Sequence, residues 1–289
     1  MPDSEFPRIW ISLSAPQSVP EEGWRDRLVH SALEAGTVID ISKGPALWGG
    51  AMRGTDAALM SLGGTDIERA VDAQHAQDLL EAHLIETLSA IGREHLDFYF
   101  LQVRHKLSSW QIEGAAKALE LAHRDGHVRN VGLCCDGDPL ASVAVWNAVE
   151  VANALLVPRS HADEAAYNDL KAALSQESKL QTVVTSKALN WGYGMPFVNL
   201  PVERSGLDPM RIAQAVVADL AKENTVLVAA RTPEEVRAAM EAPNLPQIPE
   251  FDTVIESYKE AWEQDEPWEE LRRSADPISR KAAERRLSK

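Results

Sequence analysis

Residues 87–136 restrict the fold more than any other stretch of the chain. A helical segment closes at Gly92, and LDFYFLQV (96–103) follows with the length and aromatic content of a buried strand. After a polar break, an amphipathic helix runs from about Gln111 to Arg124 and stops at Asp125-Gly126. VRNVGLCC (128–135) then reads as a strand again. A strand, a helix and a strand in about 40 residues form one βαβ unit, which implies parallel strands and a right-handed crossover.

The rest of the chain repeats the alternation. RIWISLS (8–14) is the first expected strand and WRDRLVHSALEAG (24–36) the helix after it. TVIDIS (37–42) is the second strand, running into a loop with Pro45, Trp48 and Gly49-Gly50. AALMSL (57–62) is a short third strand, and a single long helical stretch is expected from Thr65 to Gly92, with acids in its first turn. Beyond the central unit, helices are expected at 138–149, 161–178 and 209–223. Strands are expected within 150–157, 180–189 and 225–230. Thr232-Pro233 opens a further helix with an N-cap residue and a proline at its first position. Eight strands alternating with helices predict a (β/α)8 TIM barrel, with no linker to divide it. Residues 1–289 are read as one domain, of which 246–289 form a helical extension outside the barrel.

Charge and composition exclude some roles. A net charge of −15 would be repelled by a nucleic-acid backbone or an anionic membrane, so neither is expected as a partner. No apolar run reaches the ~20 residues of a membrane helix. The first residues lack a basic segment followed by a long apolar one. The two cysteines, Cys134 and Cys135, are adjacent and poorly placed to bridge. The expectation is an acidic cytoplasmic protein with no metal site.

Three phrases resemble the aldo-keto reductase family. Thr87-Leu88-x-x-Ile91-Gly92 is similar to the family's Ser-Leu-x-x-Leu-Gly, and Leu96-Asp97-Phe98-Tyr99 to its Ile-Asp-Leu-Tyr. Asp125-Gly126-His127-Val128-Arg129-Asn130-Val131-Gly132 is similar to Glu-Gly-Lys-Ile-Arg-x-Ile-Gly. ARTPEEVRAAMEA resembles a fourth phrase near the family's last strand, and the likeness extends roughly from Ile9 to Ala242. The resemblance implies the barrel, with a mouth where the family reduces carbonyls by hydride from NADPH, using a tyrosine assisted by lysine, aspartate and histidine.

Residue by residue, that machinery is reduced to Asp40. The tyrosine's place is Pro45, and no tyrosine precedes Tyr99. The lysine's place is near Leu62, and the only lysine before Lys106 is Lys43. Gln102 stands where the histidine should. The Ser-Asn and Glu-Asn positions that the resemblance implies for the cofactor are Cys134-Cys135 and Ala238-Ala239. Arg231 alone is left to meet a cofactor phosphate, so NADPH is expected to bind weakly or not at all.

In a barrel of this kind, functional residues gather at the C-terminal strand ends. The polar residues there are Ser12, Ser14, Asp40, Ser42, Lys43, Gln102, Arg104, His105, Asp136, Arg159, Ser186, Lys187 and Arg231. From them Asp40, Lys43, Gln102, His105 and Lys187 are the candidate catalytic set, and Arg104 a candidate substrate contact. Trp48, Trp191 and Tyr193, in adjoining loops, are expected to wall the pocket. Each also has a structural reading: Asp40 capping backbone amides or paired with a lysine, the lysines solvated at the rim, His105 on the surface, the cysteines packed. Asp40 is expected within salt-bridge reach of Lys43 or Lys187, because an isolated buried carboxylate is costly. Three functions are carried forward. The first is a non-redox pseudoenzyme of the oxidoreductase family that binds or converts a small oxygenated molecule. The others are a silent subunit acting through a partner protein, and an NAD(P)H-dependent oxidoreductase with substitute acids.

Overall fold

The computed structural model describes residues 6–15, 21–161, 164–174, 177–189, 206 and 208–264. Its strands are β1 (Ile9–Leu13), β2 (Ile39–Asp40), β3 (Leu59–Gly63), β4 (Leu96–Val103), β5 (Val128–Cys135), β6 (Ala152–Pro158), β7 (Thr182–Ser186) and β8 (Thr225–Ala230). They close into one parallel barrel in chain order, β1 returning to β8 from Ile9 beside Val226 to Leu13 beside Ala230. The helices are α1 (Trp24–Glu34), α2 (Pro45–Met52), α3 (Ala73–Ile91), α4 (Ser109–Arg124), α5 (Pro139–Ala148), α6 (Ala165–Leu174), α7 (Pro209–Leu220), α8 (Pro233–Glu241) and α9 (Phe251–Gln264). The expected (β/α)8 architecture is thus observed. Among the described residues no helix is long and apolar enough to cross a membrane.

Alternation along the strands sorts side chains into two cores. Trp10, Val38, Met60, Phe98, Phe100 and Leu227 fill the barrel interior, while Ile11, Ile39, Leu59, Tyr99 and Leu101 pack outward against the helices. Phe98 and Tyr99 therefore face opposite sides. Phe98 lies 4.6 Å from Trp10 and 6.1 Å from Phe100, ring centre to ring centre. Gly132, the β5 partner of Phe100, leaves the room this ring needs: a Cβ there would stand 2.2 Å from Phe100 Cδ1. Each fully buried large apolar side chain contributes about 1.5–3 kcal/mol.

Two expectations about helices change. Residues 45–52 are the helix α2, where the sequence suggested a loop. Pro45 sits in its first turn, where a missing N–H costs nothing. Gly49, which lowers helix propensity, is there for contact: a Cβ on it would lie 2.0 Å from the Ala90 carbonyl oxygen of α3. The stretch from Thr65 to Gly92 is also interrupted. Thr65–Arg69 forms a separate 3-10 turn, and Asp72 starts α3 by accepting a hydrogen bond from His75 N at 2.8 Å. An aspartate satisfies such a helix end better than it serves a helix interior.

Of the extension expected over 246–289, the described part ends with α9. Ile248, Phe251, Val254 and Ile255 are buried with the outer core.

Candidate functional site

Every strand contributes to the wall of a cavity of about 440 Å³ at the C-terminal mouth, through one residue near its C-terminal end, β8 adding Leu227 and Val228. The strand-end residues are Ser12, Asp40, Leu62, Gln102, Cys134, Leu156, Ser186 and Ala229, in order from β1 to β8. Two residues below most of them lie the interior apolar groups, so a wall of mixed polar and apolar residues stands above an apolar floor. The volume falls within the ~300–1,000 Å³ of small-molecule sites.

The electrostatic centre of the mouth is Asp136, one residue past β5. Its backbone N–H donates to Val103 O at 3.1 Å, which keeps the chain against β4. Its Oδ1 accepts from Lys187 Nζ at 3.1 Å, and its Oδ2 accepts from Gln102 Nε2 at 2.8 Å, with Arg104 Nε at 3.5 Å. Lys187 reaches it through an unusual backbone. It is the one described non-glycine residue with positive φ, at 58°. A regular strand would send Ser186 and Lys187 to opposite faces. The left-handed turn lets both line the cavity.

Asp40 faces the cavity, and among the described residues no cation pairs with it. Its Oδ1 accepts from Ser42 N at 2.9 Å and from the Ser42 hydroxyl. Among the described residues nothing donates to Oδ2. The expected salt bridge is therefore corrected: Lys187 is held by Asp136, and Lys43 Nζ lies 3.4 Å from Ser14 Oγ. β2 is only two residues long, and the chain folds back immediately, so the amide two residues on is the nearest donor.

Lys43, Gln102, Arg104 and Lys187 line the cavity with Asp40, as the sequence suggested. His105 does not line it; its Nε2 turns to Glu68 Oε1 at 3.7 Å on a half-exposed rim. Trp48 is also displaced from its expected place, being fully buried on α2 with its ring 5.8 Å from that of Trp24. The helix that replaced the expected loop carries it into the outer core. Arg159 is buried between Glu164 and Glu223, each at 2.9 Å, and lies over the Tyr167 ring. Arg231 is not on the cavity wall, and Trp191 and Tyr193 lie outside the described residues. Cys134 lines the cavity as a thiol: burial first, then Asp136, pushes its pKa well up. Among the described residues no cluster of three His, Cys, Asp or Glu side chains could hold a metal ion.

The sequence reading passed over His83, a cavity residue supplied by α3. Its Nδ1 lies 2.8 Å from the Tyr99 hydroxyl. Helical spacing offered a signal, since position 83 follows buried Leu80 by three and precedes buried Thr87 by four. Burial lowers its pKa, with Glu86 and Asp66 opposing.

No protein-family model matches the chain, and no curated protein matches it. Solved structures do. An aldo-keto reductase from a Medee basin deep-sea metagenome library shares 15% identity at a TM-score of 0.62, over 87% of this chain and 90% of that one. The glycerol dehydrogenase from Gluconobacter oxydans shares 15% at 0.63, over 88% and 92%. A Gox0644 mutant solved in complex with NADPH shares 16% at 0.62, over 87% and 89%. At such identities the likeness establishes the fold: an aldo-keto-reductase-like barrel.

Proposed function

We propose that this barrel binds or converts, without redox chemistry, a small oxygenated molecule at its C-terminal mouth. The observation that carries the reading is the division of the mouth. Lys187, Arg104 and Gln102 converge on Asp136 at one side, while at another Asp40 Oδ2 accepts from no group among the described residues. A ligand carbonyl or carboxylate suits the cations, and a ligand hydroxyl suits Asp40. A conversion at such a site is a proton transfer with Asp40 as base and the cationic side stabilising a developing oxyanion. A subunit working only through its surface has no need of this arrangement.

The redox alternative has one specific support, the NADPH-bound relative. Against tight NADPH binding here stands the surrounding of Arg231. Glu235, itself buried, accepts from Arg231 N and lies 3.4 Å from the Arg231 guanidinium. A phosphate brought to Arg231 would meet that carboxylate first. The residues present thus do not suit the phosphate, and no step is assigned to the cofactor.

Titration calorimetry with glycerol, lactate and pyruvate, and separately with NADPH, tests the reading. Saturable binding of at least one of the three is expected, weakened roughly tenfold or more in Asp40→Asn through loss of a charged hydrogen bond. Saturation by NADPH at low micromolar concentration, with carbonyl-dependent loss of its absorbance, would replace this reading by the redox one.

A further inference from the structure

We propose that Tyr99 fixes His83 as a neutral imidazole whose Nε2–H is a ligand-positioning donor, aimed at an acceptor oxygen of whatever occupies the mouth. The inference rests on the ligand-binding reading above and adds a recognition group from a helix, outside the ring of strand ends.

The geometry begins at Gly63. At the end of β3 a side chain would collide with the pair: a Cβ on Gly63 would lie 1.8 Å from the Tyr99 hydroxyl and 2.7 Å from His83 Nδ1. The bare backbone leaves a slot in which phenol and imidazole meet at 2.8 Å. Tyr99 is wholly buried, and burial pushes its pKa up, so the hydroxyl keeps its proton. That proton needs an acceptor, and among the described residues His83 Nδ1 is the only one in reach. If Nδ1 carried a hydrogen instead, two donors would share one contact and the phenol proton would be buried without a partner, which is costly. Nδ1 is therefore the acceptor, and the ring's hydrogen is on Nε2. Nε2 has no protein partner among the described residues, while His83 is part of the cavity wall. Glu86 on the same helix and Asp66 on the neighbouring 3-10 turn act on it at longer range, and neither forms a hydrogen bond with it. The arrangement gives a neutral donor held in one orientation. A ketone, carboxylate or hydroxyl oxygen is its matching partner.

The test uses the whole chain labelled uniformly with nitrogen-15. Long-range proton–nitrogen spectra of the free protein should show His83 as the Nε2–H tautomer, and Tyr99→Phe should shift it towards a mixture. Lactate, pyruvate and glycerol are then titrated. The expected result is a saturable shift of His83 Nε2 with at least one probe. Affinity for it should fall about fivefold or more in His83→Ala and in Tyr99→Phe, with partial recovery in His83→Gln, which restores an N–H donor. An Nδ1–H tautomer in the wild type overturns the proposal, as does unchanged affinity in Tyr99→Phe with the fold intact. Probe binding that shifts Lys187 and Gln102 but leaves His83 untouched overturns it alone. If none of the probes perturbs any residue of the mouth, both this proposal and the binding reading fall.

Discussion

The Asp136 carboxylate and the Lys187 ammonium lie 3.1 Å apart, although the strands they extend, β5 and β7, are separated by β6. The contact is possible because the chain turns left-handed at Lys187, which carries the side chain back over the mouth. A residue with a Cβ pays roughly 1–2 kcal/mol for that conformation. Lys187→Gly should therefore be more stable to urea than Lys187→Ala by about 1 kcal/mol, since both lose the ion pair and only glycine relieves the backbone. Equal stabilities would show that the turn is not strained.

The pair itself should be weak as a stabiliser. Asp136 is 28% and Lys187 39% exposed, so water screens the attraction. A double-mutant cycle with Asp136→Asn and Lys187→Met, read by urea unfolding, should give a coupling of about 1 kcal/mol or less. A much larger value would mean that the mouth is drier than its geometry implies.

Adjacent glycines in α2 should respond oppositely. Gly49→Ala drives a methyl into the Ala90 carbonyl and should cost roughly 1–3 kcal/mol or more. Gly50 has open space around its Cβ position, so Gly50→Ala should stabilise by about 0.5–1 kcal/mol. Thermal unfolding of the two variants checks both signs.

Acid should weaken the fold through two histidines. Burial lowers the pKa of His83 and of His161 below the ordinary value near 6.5, so the unfolded chain binds protons more readily than the folded one. Their contribution is fully present above about pH 6.5 and is lost as pH falls through the lowered folded values. Glu86 and Asp66 soften the effect at His83, as Asp219 and Glu164 do at His161. Chemical unfolding between pH 7 and 5, with ~6.5 as its upper turning point, should show a shallower decline in His83→Gln and in His161→Gln. An unchanged slope in both would place these rings in water.

What the amino-acid order determined by itself was local and periodic. LDFYFLQV, VRNVGLCC and TVLVAA become β4, β5 and β8 with the bounds their composition suggests, because β-branched and aromatic runs between turn residues have few other uses. The pleat then places alternate residues inside, so Asp40, Gln102 and the other strand-end groups were legible as the wall of a mouth. What the tertiary structure alone decided was which distant groups meet. Lys187 goes to Asp136 and not to Asp40 because of a left-handed backbone and a competing turn at Ser42, features set by the closure of the barrel. Trp48 is buried because α2 exists only where Gly49 can lie against α3. His83 joins the site because Gly63 leaves a slot between a strand and a helix for two rings 16 positions apart in sequence. Periodicity reports which face of an element is apolar, whereas such contacts depend on ångström-scale approach between elements, which one-dimensional spacing does not encode.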